Sequence, residues 1–561
     1  MIFRLSLRKR KIPSLRIAPN RLNGDGTIAL RDGAALCSSG SAQRPGTAVV
    51  LIRKRARGRI INIWLVLIVV LGVVIVFCDG LARPPIVEQE SYGKGALEYE
   101  PCLGALLLAG LSLPLMFAYV RRAKVSLTEG LFLWFVFCTT AYTRDFSHIR
   151  WPGTPLFVTD VVLLVLILSI SLLPSTRYPR CPLLMSVFLF SFLGAGILSV
   201  TRGFWGHREL LLVLRDSTLV VYALFLFVAH NLLRTWISMK RTVVWFVLGT
   251  TLGTLNGLAW FIAVPEERRF IYYGVYVLIS LAGILLAIAN RLVRPRVGWI
   301  FAGLLCLGLM LANARSLFVS LVILLFMGLL AGRLVFSKTR FARLVATAFI
   351  AAPLAAFALL LLLHTRAGQD FTVRVANELV TGVFRSSDDP DWQYRLIAWE
   401  EAWRRFEKSP LIGEGFGVPF VFELADADVR PHNTFLTVLY KMGVIGILPL
   451  LGLIVCFLWF GFRAVRRNLK NSRVAFLQIV LLAQVAFCLY GAANLLLESP
   501  FLGSLFWTAM GLGLRMVQLL DVERLLGTYG RAGQNSNVPH PKGFQRLGRL
   551  WSPATIRSAP R

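Results

Sequence analysis

Long apolar runs, separated by short polar segments, recur along the chain from about residue 60 to about residue 518. A helix of about 17 to 25 apolar residues crosses the roughly 30 Å hydrocarbon core of a bilayer. About fourteen runs approach this length, which predicts an all-α polytopic membrane protein with about 14 transmembrane helices. The predicted spans lie at about 60–78, 101–119, 127–143, 158–174, 182–201, 217–233, 242–263, 271–290, 297–312, 316–332, 343–363, 443–462, 474–495 and 500–518.

The composition excludes a water-soluble globular protein. Of the 561 residues, 56% are hydrophobic and 16% are charged, and the mean hydropathy is +0.66. Soluble domains carry about 25% charged residues. The formal net charge of +32 fits either a polyanionic partner such as nucleic acid or a membrane topology, so the placement of the basic residues has to decide.

Basic residues are concentrated in every second loop between the predicted spans. Short cytoplasmic loops collect Lys and Arg, whereas translocated loops do not. The basic loops contain no Asp or Glu and include Arg121, Arg122, Lys124, Arg177, Arg180, Arg234, Lys240, Arg241, Arg291, Arg294, Arg296, Arg333, Lys338, Arg340, Arg463, Arg466, Arg467, Lys470 and Arg473. This alternation favours membrane topology over nucleic-acid binding. Because the predicted number of spans is even, both termini are expected in the cytoplasm, in a multi-pass inner-membrane protein.

The chain divides into membrane bundles, tails and one long outer segment. Both tails are basic, and the first is rich in Gly and Ser without periodicity, which predicts disorder. The tails could contact anionic lipid headgroups, serve as solubilising ends, or reflect a misplaced start codon. The predicted units are a cytoplasmic tail at 1–59, an N-terminal transmembrane bundle at 60–363, a large periplasmic loop at 364–442, C-terminal transmembrane helices at 443–518 and a cytoplasmic tail at 519–561.

Two sets of residues invite a metal or disulfide interpretation. Cys78 and Cys102 lie near the outer ends of the first two predicted spans, on the oxidising side, so they form either a disulfide or two separate thiols. Two acidic pairs with D-x-D spacing could hold Mg²⁺ or Mn²⁺ on a diphosphate, but solvated loop acids are the favoured interpretation. The pairs are Asp389 with Asp391 and Asp426 with Asp428. No metal or cofactor is expected.

The outer segment predicts a short amphipathic helix that ends before Pro410. Its apolar residues recur at helical spacing and favour packing against the membrane domain or its interface, although one Trp could stack on a sugar ring. These residues are Trp392, Leu396, Trp399, Trp403 and Phe406. The glycine run that follows, at Gly413, Gly415 and Gly417, resembles a nucleotide loop, but no strand precedes it, so it predicts a turn.

His432 lies at the expected outer mouth of the next span, beside Asn433. A neutral imidazole can take a proton from a sugar hydroxyl, which an acceptor needs before it attacks an anomeric carbon. The alternative is an interfacial histidine that simply hydrates a helix end.

Two arginines near the outer face suggest an anionic ligand. Arg315 is the sole charge in a tight turn between apolar spans, and Arg215 lies in another apolar run. An ionisable group in such a place costs about 2.5 kcal/mol or more unless it is paired or hydrated. A guanidinium can bind a diphosphate through two parallel hydrogen bonds. The alternative is a structural pair with Asp216, Glu266, Glu267 or a carbonyl.

Together these motifs resemble the O-antigen ligase and Wzy-type polysaccharide polymerase superfamily over roughly residues 125–515. Besides the large outer loop and Arg315 ahead of a span, an HN-x9-GxxG motif and an R-x3-L element carry the resemblance. The first consists of His432, Asn433, Gly443 and Gly446, and the second of Arg215 and Leu219. The chain departs from the ligases in having more spans than about a dozen and a longer N-terminal tail.

The resemblance implies a GT-C-like fold and metal-independent, inverting transfer of a glycan from undecaprenyl diphosphate to an acceptor hydroxyl. The transfer would take place at the periplasmic face of the bacterial inner membrane, with lipid A-core or a glycan as acceptor and membrane lipid as surroundings. His432 would act as the base or position the acceptor, and Arg215 and Arg315 would neutralise the donor diphosphate. Arg395 and Asn433 would help to bind substrate.

Three functions remain open at this point. A ligase would cap lipid A-core or a protein, whereas a polymerase of the same superfamily would extend O-antigen or exopolysaccharide chains. A transporter or flippase of a lipid-linked glycan is the third, although the chain shows no inverted repeat of the kind that many transporters have.

Overall fold

The computed structural model describes residues 45–82, 102–150, 156–172, 181–263, 274–312, 317, 320–324, 342, 390–422, 430–469 and 471–535. Within these ranges the chain is helical and contains no strand, although an isolated bridge joins Arg150 to Phe157. The helices are α1 (Pro45–Ala82), α2 (Leu103–Ala123), α3 (Leu127–Tyr142), α4 (Arg144–Ser147), α5 (Val158–Ser171), α6 (Leu183–Trp205), α7 (Leu210–Val221), α8 (Leu224–Leu232), α9 (Trp236–Ala263), α10 (Gly274–Ala289), α11 (Pro295–Leu311), α12 (Pro390–Lys408), α13 (Thr434–Arg467), α14 (Val474–Gly491) and α15 (Pro500–Asn535).

Eight helical stretches of the described chain are long and apolar enough to cross a membrane, by length and composition. They lie in α1, α2, α6, α7 together with α8, α9, α13, α14 and α15, and the shorter apolar helices α3, α5, α10 and α11 coincide with further predicted spans. The protein is therefore an all-α polytopic membrane protein. Most of the predicted span at 316–332 and all of that at 343–363 lie outside the described residues, so the count of fourteen stays a prediction.

The bundle has a buried centre and an apolar periphery. Phe132, Phe135 and Phe137 of α3 are fully buried, whereas Leu183 and Phe190 of α6 point outward. Such an outer surface is stable in lipid, which is as apolar as these side chains. Along the α3 contact, α9 carries Gly249 and Gly253, where a Cβ atom would collide with the backbone of α3. Small residues here let the two helices approach closely.

Several boundaries differ from the predicted ones. Helix α1 begins at Pro45 rather than near residue 60, because basic side chains at a membrane surface do not interrupt helical geometry. Helix α13 begins at Thr434 rather than 443, since Asn433 caps it well ahead of the apolar run. At the other end of the chain, α15 continues to Asn535.

Cys78 and Cys102 are both free thiols. The Cys102 thiol lies 3.8 Å from Asp79 Oδ2 and accepts a hydrogen bond from the backbone N–H of Ala105, so it caps α2. Of the two interpretations of this pair, the structure supports separate thiols.

Candidate active site

Helix α13 is broken at Gly443, where φ is +64° and ψ is −163°. A break leaves backbone groups without partners inside the helix, and the segment after α12 supplies them. The carbonyl of Tyr440 accepts from the N–H of Glu414 at 2.8 Å, and the carbonyl of Lys441 accepts from that of Gly415 at 2.8 Å.

The same segment accepts hydrogen bonds from the lower half of α13. The N–H of Val444 donates to the carbonyl of Pro410 at 2.9 Å, and that of Ile445 donates to Leu411 at 3.1 Å. We call residues 409–417 the glycine loop. It replaces the hydrogen bonds that a continuous α13 would make with itself.

Glycine is required where the glycine loop meets the break. Gly413 has a φ of +65°, and a Cβ there would overlap the backbone of Lys441. A Cβ at Gly443 would overlap the Leu411 carbonyl. The glycine run thus forms the turn that the sequence predicts, and it also completes a membrane helix.

Arginine side chains from α6 and the turn after it hold the opposite edge of the glycine loop. Arg202 Nη1 donates to the carbonyls of Ile412, at 3.2 Å, and Gly413. Arg208 Nη1 donates to the Phe416 carbonyl at 2.8 Å. Burial lowers the pKa of Arg208, and the positive charge of Arg202 lowers it further.

Asp216 of α7 is the centre of a buried ionic cluster. Its side chain is 1% exposed and accepts hydrogen bonds from Arg430 Nη2 at 2.6 Å, from the Gly417 N–H at 2.9 Å and from Lys441 Nζ. A buried carboxylate is destabilising unless it is paired and hydrogen-bonded. These bonds satisfy Asp216 and join α7, the glycine loop and α13.

Arg430 is the residue that sequence reasoning missed. Burial by itself lowers the pKa of this guanidinium, but Asp216, Tyr440 and Glu498 together raise the pKa above its ordinary value. Nη1 is buried and has no hydrogen-bond partner in the structure. The available signal was its position two residues before His432, in the segment Arg430-Pro431-His432-Asn433.

Arg215 belongs to the same cluster. It precedes Asp216 on α7, is half-buried, and interacts electrostatically with Arg430 as well as with Asp216. Two neighbouring guanidinium groups favour an anion between or beside them. Asp216 was one of the structural partners that the sequence offered for Arg215 and Arg315, and the structure shows its carboxylate bonded to Arg430 and Lys441.

His432 directly precedes α13 and has a φ of +50°. A residue other than glycine in this left-handed region carries strain of about 1–3 kcal/mol, and such residues concentrate at functional sites. The neighbouring Pro431 carbonyl accepts a hydrogen bond of 2.7 Å from Trp399 Nε1, so α12 fixes the segment. The half-buried imidazole therefore lies at the start of α13, next to the cluster residues in sequence.

Residues 300–451 match the family model described as O-Antigen ligase. This match confirms the resemblance to the O-antigen ligase and Wzy-type superfamily over these residues. The matched region includes Arg315, Arg395, the glycine loop and His432, and Arg215 precedes it. A comparison with curated proteins finds no match.

Two further residues that the O-antigen ligase resemblance suggested as substrate-binding also have structural roles. Asn433 Oδ1 accepts hydrogen bonds from the N–H groups of Phe435 and Leu436, both at 3.1 Å, as a helix cap. Arg395 Nη1 of α12 donates to the Ala493 carbonyl at 2.7 Å and so anchors α12 to the segment after α14. For Asn433, the amide nitrogen is the group that could still donate to a substrate.

Helix α12 packs against α13 through a side that the predicted apolar stripe covers only in part. Ala398 and Ala402 are buried together with Phe420 and Tyr440, whereas Trp403 is exposed. The buried side of α12 is thus formed mainly by two alanines outside the predicted stripe. Of the stripe itself, Phe406 packs against this cluster, whereas Leu396 is exposed like Trp403.

Glu498, between α14 and α15, connects the C-terminal part of the chain to the site. Its Oε2 accepts a hydrogen bond of 2.8 Å from Thr434 Oγ1, at the first residue of α13. Its backbone carbonyl accepts from Thr218 Oγ1 of α7 at 3.4 Å. The carboxylate also interacts electrostatically with Arg430, so α7, α13 and this segment converge on one place.

Other sequence candidates cannot be placed. Arg315 lies outside the described residues, as do Asp389, Asp426 and Asp428. In the part of the chain that the structure describes, no three His, Cys, Asp or Glu side chains gather as a metal-binding group. The structure thus brings Arg215, His432, Asn433 and Arg395 to one end of α13, and Arg315 stays a prediction.

Proposed function

We propose that the protein is an O-antigen ligase-like glycosyltransferase that transfers a glycan from undecaprenyl diphosphate to an acceptor hydroxyl. The observation that carries the proposal is the cationic cluster of Arg215, Arg430 and Lys441 around Asp216, in which Arg430 lies two residues before the strained His432. The O-antigen ligase match over 300–451 supports the same reaction class.

In the proposed reaction the acceptor oxygen bonds to the anomeric carbon while the bond from that carbon to the diphosphate oxygen breaks. His432 takes the hydroxyl proton, and undecaprenyl diphosphate leaves with its negative charge. Arg215 and Arg315 stabilise that charge as it develops. A single displacement of this kind inverts the anomeric configuration and uses no metal.

The charge distribution supports a periplasmic location for this site, in a bacterial inner membrane. Helix α13 begins at the site and ends with Arg466 and Arg467 in its last turn. Helix α2 likewise ends with Arg121 and Arg122. Since such basic ends stay in the cytoplasm, the start of α13 faces the other side and both termini are cytoplasmic.

The test compares a gene deletion with complementation by full-length variants. Undecaprenyl-linked and surface glycans are measured by gel and mass spectrometry. Long chains left on the carrier and absent from the final acceptor support the ligase. Single carrier-linked repeats without long chains indicate a polymerase of the same superfamily, and unchanged glycans on both carrier and surface contradict the proposal.

A histidine pair makes the test specific for the proposed base. His432 has a φ of +50° and the exposed His207 has a φ of +51°. Asn tolerates this backbone region but cannot act as a base, so strain is matched in His432→Asn and His207→Asn. In the deletion strain, we expect His432→Asn to insert normally into the membrane but to give no glycan transfer. We expect His207→Asn to restore transfer as the wild type does. Full complementation by His432→Asn would exclude the proposed role.

A further inference from the structure

Arg430 is held in a way that differs from the structural arginines nearby. Arg405, on the same outer segment, donates from Nη1 and Nη2 to the carbonyls of Pro419 and Val421. Arg430 donates from Nη2 to Asp216, whereas its buried Nη1 has no hydrogen-bond partner in the structure. A buried N–H group without an acceptor is destabilising, so its retention needs a reason.

The side chain of Arg430 is nine-tenths buried, with 10% of it exposed. Asp216 fixes one edge of the planar fork and leaves the other edge for a ligand. A fork fixed in this way binds a phosphoryl group with little loss of side-chain freedom.

The charge around Arg430 favours an anion. The cluster combines the cations Arg215, Arg430 and Lys441 with the carboxylates Asp216 and Glu498. Lys441 Nζ donates to Asp216 and to the Val418 carbonyl, 3.3 Å away, so this lysine is used within the protein. Arg215 interacts electrostatically with Arg430, so the two guanidinium groups add positive charge to the same cluster.

We infer that Arg430 contacts the donor diphosphate, as a substrate-binding partner of Arg215, and that Asp216, itself held by Lys441, positions the Arg430 guanidinium. This inference rests on the proposed function and adds a residue that the sequence motifs did not single out. Arg430 supplies two N–H directions, one to Asp216 and one to a phosphoryl oxygen. Its place two residues before His432 puts diphosphate recognition and proton transfer on one short segment.

The experiment measures binding of undecaprenyl diphosphate and undecaprenyl phosphate to the full-length protein in lipid nanodiscs, together with transfer activity. A fork contact to the diphosphate predicts that the wild type prefers the diphosphate by about tenfold or more and that Arg430→Gln loses most of this preference. A merely structural role would weaken binding of both lipids equally and leave the ratio unchanged.

Two further variants keep the experiment decisive. Arg430→Lys keeps a positive charge for Asp216, so it is expected to fold even where Arg430→Gln does not, and to show a reduced preference because the fork is lost. Arg404, on the exposed face of α12, provides the control Arg404→Gln, which is expected to keep the wild-type ratio.

The outcomes separate this inference from the proposed function. If the wild type transfers glycan and prefers the diphosphate, and folded Arg430→Gln and Arg430→Lys keep that preference, the assignment of Arg430 is wrong while the function stands. If the wild type neither binds undecaprenyl diphosphate nor transfers glycan from it, the proposed function itself is wrong.

Discussion

Lys441 and Asp216 form an ion pair in which each side chain is 1% exposed, although the two residues lie 225 positions apart in the chain. The pair joins α13 to α7 two residues before the break at Gly443. Removing one partner of a buried pair is far more damaging than replacing both, because a charge is left without compensation.

Asp216→Asn is therefore expected to lower the free energy of unfolding by about 3–5 kcal/mol. Thermal unfolding in detergent micelles measures it, with the exposed Glu407→Gln as a control that is expected to change Tm little. Adding Lys441→Met to Asp216→Asn should recover part of the loss, since the unpaired ammonium is gone. A double variant less stable than the single one would contradict this account.

Gly443→Ala is expected to destabilise the protein by about 1–2 kcal/mol or more. The left-handed backbone disfavours a Cβ atom, and that atom would collide with the Leu411 carbonyl. Gly303 in α11 has open space around it, so Gly303→Ala is the matched control and should be neutral or slightly stabilising. Equal Tm values for the two alanine variants would disprove the requirement for glycine at the break.

Arg315→Lys is expected to reduce glycan transfer at least about tenfold, because a lysine ammonium is a point charge and cannot form two parallel bonds to a diphosphate. Activity per inserted protein is the measurement, and Arg404→Lys on the exposed face of α12 is the control. Full activity of Arg315→Lys, with loss of wild-type activity on chelation, would instead favour a metal at one of the acidic pairs.

His148, in the turn after α4, gives a pH-dependent stability. Burial, reinforced by the positive charge of Arg144, lowers the pKa of His148 to about 4. The unfolded chain protonates this histidine below about pH 6.5 and the folded chain does not until about pH 4, so stability falls as the pH decreases between these values. The loss approaches about 3 kcal/mol.

The measurement for His148 compares Tm at pH 6.5 and pH 4.5 for the wild type and His148→Gln. Other carboxylates titrate in both proteins, so the difference between the two shifts isolates the histidine. We expect a smaller shift in His148→Gln. Identical shifts would show that the buried imidazole does not control stability in this range.

The sequence predicted the helical bundle well, because each membrane span is a continuous local run of apolar residues. All predicted spans within the described residues coincide with helices, and α12 ends before Pro410 as its pattern indicates. The start of α13 was predicted nine residues too late, since Asn433 and the polar first turn carry no hydropathy signal.

The candidate site was only half predictable. Arg215 and His432 stood out as local motifs, and the structure brings both to the start of α13. Arg430 and the pairing of Asp216 with Lys441 depend on contacts across more than two hundred residues, which spacing in one sequence does not encode. The break at Gly443 was also missed, because its missing hydrogen bonds are supplied by a distant loop.

The glycine loop sets a strict limit on insertions and deletions. Its backbone makes four hydrogen bonds to α13: Pro410 and Leu411 accept from Val444 and Ile445, and Glu414 and Gly415 donate to Tyr440 and Lys441. Adding or removing one residue within this loop would shift every match and leave polar groups of α13 unsatisfied. Length variation between relatives of this protein should therefore collect after Gly417, where the chain leaves the helix that it completes.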